Sequence, residues 1–267
     1  MKKTLCIILS LFVGIFAFNF TACAEEVSLS AQAYVLYCVE NDTVMLSKNA
    51  DTKMKMASTT KIMTTLLTLE QSERDDVLVE FSESMIAEGS SMYLKVGDTV
   101  HLSDLAIGMM MASGNDAANA AAITIGGSIT GFAELMNQRA KELSMTSTNF
   151  VTPSGLDDDN HYSTATDMAR LMAHALENQT FCEIIENTSM TVDFLTPQKQ
   201  VTYQNHNRLL TLYEHCIGGK TGYTKAAGRC LVFSAKRNGL ELIGAVLGCP
   251  TWFDTAETLL DYGFENY

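Results

Sequence analysis

The sequence predicts an α+β fold: an antiparallel sheet built from both ends of the chain, with a helical subdomain inserted between them. Three observations predict it. Strand-like hairpins lie at about 30–50 and again within 210–250, the stretch between them carries apolar residues at helical spacing, and the two patterns do not alternate along the chain as they would in a βαβ protein.

The first hairpin is read from Ala33 to Val39 and from Thr43 to Ser47, β-prone runs on either side of the turn residues Asn41 and Asp42. From Ser58 to Glu70 the period changes. Ile62, Met63, Leu66, Leu67 and Leu69 recur at helical spacing with threonines between them, which predicts a mostly buried helix. Ser103 and Asp104 read as an N-cap ahead of an apolar run through Met111. Gly114 interrupts, Asp116 to Ile125 resumes as an Ala-rich helix, and Phe132 to Leu143 is amphipathic. Thr164 and Asp167 have capping-box spacing ahead of a helix from Met168 to Leu176. Strands return at Arg229 to Ala235 and Leu240 to Leu247, around the turn Arg237-Asn238-Gly239, and Thr251 to Tyr262 closes the chain as a helix. With no internal repeat and no Pro-rich linker, residues 25–267 are expected to form a single catalytic domain.

Residues 1–24 read as a secretory signal peptide. Lys2 and Lys3 precede a nearly all-apolar run from Thr4 to Phe18, and Ala22-Cys23-Ala24 supplies a small-x-small cleavage pattern. The run has about fifteen residues, short of the ~20 that span a bilayer. An uncleaved N-terminal anchor and lipidation at Cys23 are the alternative readings of this segment; Phe20 stands where a lipobox has leucine. Loss of the two lysines takes the net charge from −13 to −15. Such an acidic surface argues against nucleic acid as a partner and against electrostatic docking on an anionic membrane or wall polymer. Membrane association is left to the N-terminus, and the expected location is outside the cytoplasmic membrane. Five cysteines follow residue 24, widely spaced and without a CxxC pair, so neither a zinc ribbon nor a redox dithiol is suggested. No metal and no cofactor is expected.

Three short motifs carry the chemistry. Ser58-Thr59-Thr60-Lys61 is S-x-x-K, Ser113-Gly114-Asn115 is S-x-N, and Lys220-Thr221-Gly222 is K-T-G. The first two each arise about once by chance in a chain this long, and the third in roughly one chain in twenty, so their order and placement matter more than any one match. Ser58 stands where an apolar helix begins, where an ordinary N-cap serine also stands. Lys61 lies one turn on, so the two side chains share a face. A lysine among buried residues is a poor cation: desolvation and a nearby positive charge, which Lys220 can supply, lower its pKa until it can take the Ser58 proton. Ser113 to Asn115 fall at a break between helices, either a plain turn or a rigid connector presenting a hydroxyl and an amide. Lys220 and Thr221, flanked by glycines, offer a charge and a hydroxyl to a carboxylate; Gly222 lets a backbone approach closely.

Together these motifs resemble the serine penicillin-recognising enzymes. Their flanks, Ala57 to Thr64, Ser113 to Ala117 and Lys220 to Thr224, resemble the low-molecular-mass penicillin-binding D-alanyl-D-alanine carboxypeptidases. So do Thr152 to Asp157, Tyr162 to Ala169 and Asn205 to Leu210, and the likeness runs from about 30 to 265. The resemblance implies a β-lactamase/transpeptidase-like fold. It implies that Ser58 is acylated by the penultimate D-Ala carbonyl of a peptidoglycan stem peptide, and by β-lactams as inhibitors. Lys61 is then the base, Ser113 the proton relay and Asn115 the holder of the substrate amide. Lys220 and Thr221 bind the terminal carboxylate, and the N–H groups of Ser58 and Tyr223 form the oxyanion hole. A basic residue on the strand after K-T-G is also implied. Glu241 stands at the position matched to it, and Arg208 is the substitute.

Two rival readings share these residues. A serine β-lactamase of class A type needs a carboxylate to activate the deacylating water, for which the cluster Asp157 to Asp159 is the candidate. A non-catalytic peptidoglycan-binding or sporulation scaffold has no need of Ser58, Lys61 and Lys220 together. A Ser-His-Asp hydrolase is weaker, since G-x-S-x-G is absent.

Overall fold

The computed structural model describes residues 29–267. The signal-peptide reading of residues 1–24 therefore lies outside the described residues. In chain order the elements are β1 (Ala33–Cys38), β2 (Thr43–Lys48), a 3-10 turn (Ala57–Thr60) running into α1 (Lys61–Ser72), β3 (Leu78–Glu80), β4 (Thr99–His101), α2 (Leu102–Met111), α3 (Asn115–Gly126), α4 (Ile129–Glu142), α5 (Ala165–Ala175), α6 (Gln179–Glu186), β5 (Ser189–Phe194), β6 (Lys199–Gln204), a short α7 (Leu209–Leu212), β7 (Cys216–Thr224), β8 (Gly228–Arg237), β9 (Leu240–Leu247) and α8 (Trp252–Glu265).

The main sheet has the order β2-β1-β9-β8-β7. It is antiparallel throughout, and the β1–β9 pairing, with Tyr34 opposite Val246, joins the two ends of the chain. Strands β8 and β9 read as near-continuous apolar runs because both faces of the sheet are covered. On one face Val35, Val232, Ile243 and Ala245 meet the helical subdomain; on the other Leu36, Leu231, Phe233, Leu242 and Val246 meet Ala256, Leu259, Leu260 and Phe264 of α8. The α8 residues recur at helical spacing and so form one stripe, and burying each large side chain contributes about 1.5–3 kcal/mol. The α+β arrangement expected from the pattern is the one observed.

Local details differ. The N-cap of α2 is His101, and Ser103 sits inside the first turn, its N–H and hydroxyl both donating to the Asp76 carboxylate at 2.8 Å. Asp76 arrives from the loop before β3 and claims the serine that the sequence offers as a cap. At α5 the box is half formed. The Thr164 hydroxyl accepts the Asp167 N–H at 3.0 Å, but the buried Asp167 carboxylate accepts the N–H of Ser147 and the hydroxyl of Thr148 instead. The hairpins β3–β4 and β5–β6 and the helix α6 were not anticipated from the pattern. The five described cysteines are free thiols.

Candidate active site

The turn that carries Ser58 is held from below by the loop 151–161. Ala57 has φ +49°, in the left-handed region, and is followed by Ser58 in the 3-10 turn. Gly155 has φ +84°, and a Cβ there would lie 1.9 Å from the Ala57 carbonyl oxygen, so only glycine allows the loop this close. The Thr64 hydroxyl donates to the Pro153 carbonyl at 2.6 Å, stitching α1 to the same loop.

Lys61 is fully buried. Its Nζ donates to Asn115 Oδ1 at 2.7 Å and to the Ser154 carbonyl at 2.8 Å, and it lies 3.0 Å from Ser58 Oγ. The first two partners can only accept. A neutral amine has two N–H bonds and one lone pair, so once those two are satisfied the lone pair is left facing the Ser58 hydroxyl. Burial holds the Lys61 pKa well below the usual lysine range, and the positive charge of Lys220 lowers it further; Asp116 pulls the other way.

Asp116 has a separate task. Its carboxylate accepts the N–H groups of Met92 at 2.8 Å and Leu94 at 3.0 Å and the hydroxyl of Ser91 at 2.6 Å, fastening the loop 88–95 over α3. Asn115 belongs to the same brace: its Nδ2 donates to the Glu88 carbonyl at 2.6 Å while Oδ1 receives Lys61. One N–H of the Asn115 amide is left over.

Ser113 precedes α3 in the left-handed region, φ +56°. Lys220, on β7 and 1% exposed, donates to Ser113 Oγ at 3.0 Å and to the Thr221 carbonyl at 3.1 Å. Strand β7 is the sheet edge, hydrogen-bonded to β8 on one side. It abuts the Ser58 turn at Gly222, where a Cβ would stand 2.8 Å from the Ser58 nitrogen. Thr221 is buried and Tyr223 is exposed at the rim. The residues singled out by sequence thus form two hydrogen-bonded groups. Ser58, Lys61 and Asn115 make one, and Ser113 with Lys220 the other; the charges of the two lysines couple them.

Glu241 does not belong to this site. It lies on β9, with β8 between it and β7; its carboxylate pairs with Lys236 at 3.3 Å and its N–H goes to Glu40. Arg208 and Arg229 line a cavity with His206, Pro250 and Trp252. Asp157 accepts the Thr224 hydroxyl at 2.9 Å. The Ser154 carbonyl was missed by sequence reasoning, because a backbone ligand leaves no side-chain signal.

Burial pushes the Lys220 pKa down to about 7. In the unfolded chain this lysine binds its proton up to 10.5, so between these values the unfolded state holds more protons and stability rises with pH. Removing the buried amine with Lys220→Met is expected to raise the thermal midpoint at pH 7, by a few kcal/mol of stability, with the gain shrinking steadily as the pH rises from 7 and nearly gone by 10.5. Thermal melts of both proteins from pH 7 to 10.5 check this; a difference independent of pH would refute it.

A partly buried serine 3.0 Å from a buried lysine, beside an edge strand bearing a second buried lysine, is the arrangement that the resemblance to the serine penicillin-recognising enzymes implies. A family model described as D-alanyl-D-alanine carboxypeptidase matches residues 20–251, and the chain belongs to that family. It is 35% identical over 257 residues to the D-alanyl-D-alanine carboxypeptidase DacF of Bacillus subtilis, an alignment covering 91% of this chain and 64% of the relative. It is 33% identical to DacB2 of Mycobacterium tuberculosis, covering 88% of this chain and 82% of the relative. The crystal structure of the Streptomyces K15 DD-transpeptidase superposes with TM-score 0.84 at 32% identity, over 89% of this chain and 98% of that one. The chain thus spans a little under two thirds of the length of DacF.

Proposed function

We propose that the protein is a serine-type D-alanyl-D-alanine carboxypeptidase that removes the terminal D-Ala from peptidoglycan stem peptides and is acylated by β-lactams. The observation that carries the reading is the geometry of Lys61, whose two N–H bonds are spent on Asn115 and Ser154 and whose third direction meets Ser58 Oγ at 3.0 Å. The Ser58 proton passes to Lys61 as Oγ bonds to the penultimate D-Ala carbonyl carbon. The developing oxyanion is met by the N–H groups of Ser58 and Tyr223. The C–N bond then breaks, and the leaving amine of D-Ala takes its proton through Ser113, which Lys220 orients. Water then attacks the acyl carbon as Lys61 takes its proton, the C–Oγ bond breaks, and Lys61 hands that proton to Ser58 Oγ, releasing the shortened peptide as its carboxylic acid. The spare N–H of Asn115 reaches the substrate amide, and Lys220 with Thr221 reads the terminal carboxylate, with Gly222 keeping the strand close to Ser58. The enzyme acts outside the cytoplasmic membrane, with residues 1–24 as its export signal.

The test has two arms. Labelled benzylpenicillin is expected to give one adduct, on Ser58; a label mapping to Ser113 or Ser154 would overturn the nucleophile. Slow release of the adduct is expected, and fast turnover would favour the β-lactamase reading. In the second arm a stem peptide with free terminal D-Ala is compared with its amide. Losing the charge is expected to lower kcat/KM on the order of a hundredfold. Equal cleavage of the two peptides would sink the carboxypeptidase reading.

A further inference from the structure

The imidazole of His161 lies beneath the nucleophile turn, 2% exposed, and no step above uses it. Its Nδ1 accepts the N–H of Val151 at 2.9 Å and, more weakly, that of Thr152 at 3.3 Å. Since Nδ1 is an acceptor, the hydrogen is on Nε2, which donates to Thr60 Oγ1 at 2.9 Å. The backbone N–H of His161 goes to the Asp158 carbonyl, and its ring meets Phe150 edge-on at 5.9 Å. One side chain therefore closes the loop 151–161 upon itself and ties it to the residue beside Lys61. That loop carries the Ser154 carbonyl. Burial keeps the imidazole neutral, its pKa pushed down to about 4; Lys55 adds to this, and Asp158 and Asp157 oppose it.

We propose that His161 is a positioning residue for proton transfer to Lys61. Through Thr60 on one side and the Val151 and Thr152 amides on the other, it fixes the Ser154 carbonyl where it takes one Lys61 N–H, so that the amine lone pair faces Ser58. The proposal rests on Ser58 as nucleophile and Lys61 as base. Without the strut the Ser154 carbonyl drifts, the amine turns, and water reaches it. Relaxed desolvation then raises the Lys61 pKa. The other groups that face Lys61, the charges of Lys220 and Asp116 and the neutral Ser58 and Asn115, are unchanged. First-encounter binding of penicillin is unchanged as well, because it uses Lys220 to Tyr223 and the spare Asn115 N–H.

The experiment is rapid-mixing acylation by benzylpenicillin from pH 5 to 9, with melting temperatures alongside, for the wild type, His161→Phe, Thr60→Val and Thr60→Ser. In the first two variants the acylation rate at saturating penicillin should fall on the order of tenfold or more, since misplacing a reacting group by about 1 Å can cost a hundredfold. Their dissociation constant for the encounter complex should change less than about threefold, and the acidic limb of the profile should move to higher pH. Thr60→Ser, which keeps the hydroxyl, should stay within about threefold of wild type. If His161→Phe fails to fold, the Thr60 pair decides. A lower melting temperature with an unmoved saturating rate and an unmoved acidic limb would leave His161 a structural residue and overturn the proposal. Failure of the wild type itself to form a Ser58 adduct would instead overturn the functional reading, and the His161 proposal with it.

Discussion

Replacing Lys61 by arginine is expected to abolish acylation of Ser58, with a loss of roughly a thousandfold or more in the rate constant. The guanidinium can still donate to Asn115 Oδ1 and the Ser154 carbonyl, the two acceptors that now hold the amine. It cannot present a lone pair to Ser58, because it stays protonated at every working pH. It also fixes a charge at a fully buried position where burial and the nearby Lys220 already disfavour one, holding the wild-type lysine pKa well below its usual range. Lys61→Met is the companion variant. It lacks both base and charge, so it should be equally inactive yet melt at or above the wild-type temperature. Penicillin acylation and thermal melts on the two variants check this. Substantial acylation by a folded Lys61→Arg protein would mean that another group accepts the proton.

The second large effect is expected at Gly155. An alanine there meets two separate penalties. Its φ of +84° is a conformation that side chains resist, at about 1–3 kcal/mol. The new Cβ would also stand 1.9 Å from the Ala57 carbonyl oxygen and 2.8 Å from Thr60 Oγ1. The first of these is backbone, so relief requires moving the Ser58 turn, at about 1–3 kcal/mol more. Gly97 separates the two terms, because its φ is +90° with nothing within 4 Å of the added atom. Gly97→Ala should therefore lose about 1 kcal/mol and keep its acylation rate. Gly155→Ala should lose several times as much stability and acylate slowly even where folded. Equal destabilisation by the two substitutions, read from urea titrations, would show that the close approach to Ala57 has no energetic weight.

What the sequence revealed divides by physical type. The hairpins and helices of the sheet and of α1 to α5 were legible because their periodicity reports burial, and Leu66 or Val232 are inside for the reason their spacing suggests. Lys61 stood out for the opposite reason, as a charge on an apolar face. The hairpin β5–β6 escaped notice although Val192 and Phe194 alternate with polar neighbours, since those strands lie outside the main sheet and bury one face. Glu241 was misplaced by counting along the chain. The register, Lys236 opposite Glu241, puts it at the far end of a hairpin whose other strand separates it from β7. His161 and Ser154 gave no signal, because their role depends on a loop closing beneath a turn about 100 residues away in sequence.

The pairing of β1 with β9 also dictates the order in which the molecule can assemble. Contacts within the helical subdomain are made between neighbours such as α1 and α2 or α3 and α4, whereas Tyr34 waits for Val246. Closing so long a loop before its contacts repay the entropy is slow, and structures rich in such pairings fold late. As synthesis proceeds from the N-terminus, the first hairpin therefore has no sheet to join until nearly the whole chain exists. A nascent chain cut short of Leu240 would hold α1 to α5 with an uncovered apolar face and β1 without its central neighbour, a form recognisable to proteases and chaperones. The central strand pairs of the sheet thus form only once the residues of β8 and β9, among the last forty or so of the chain, are available.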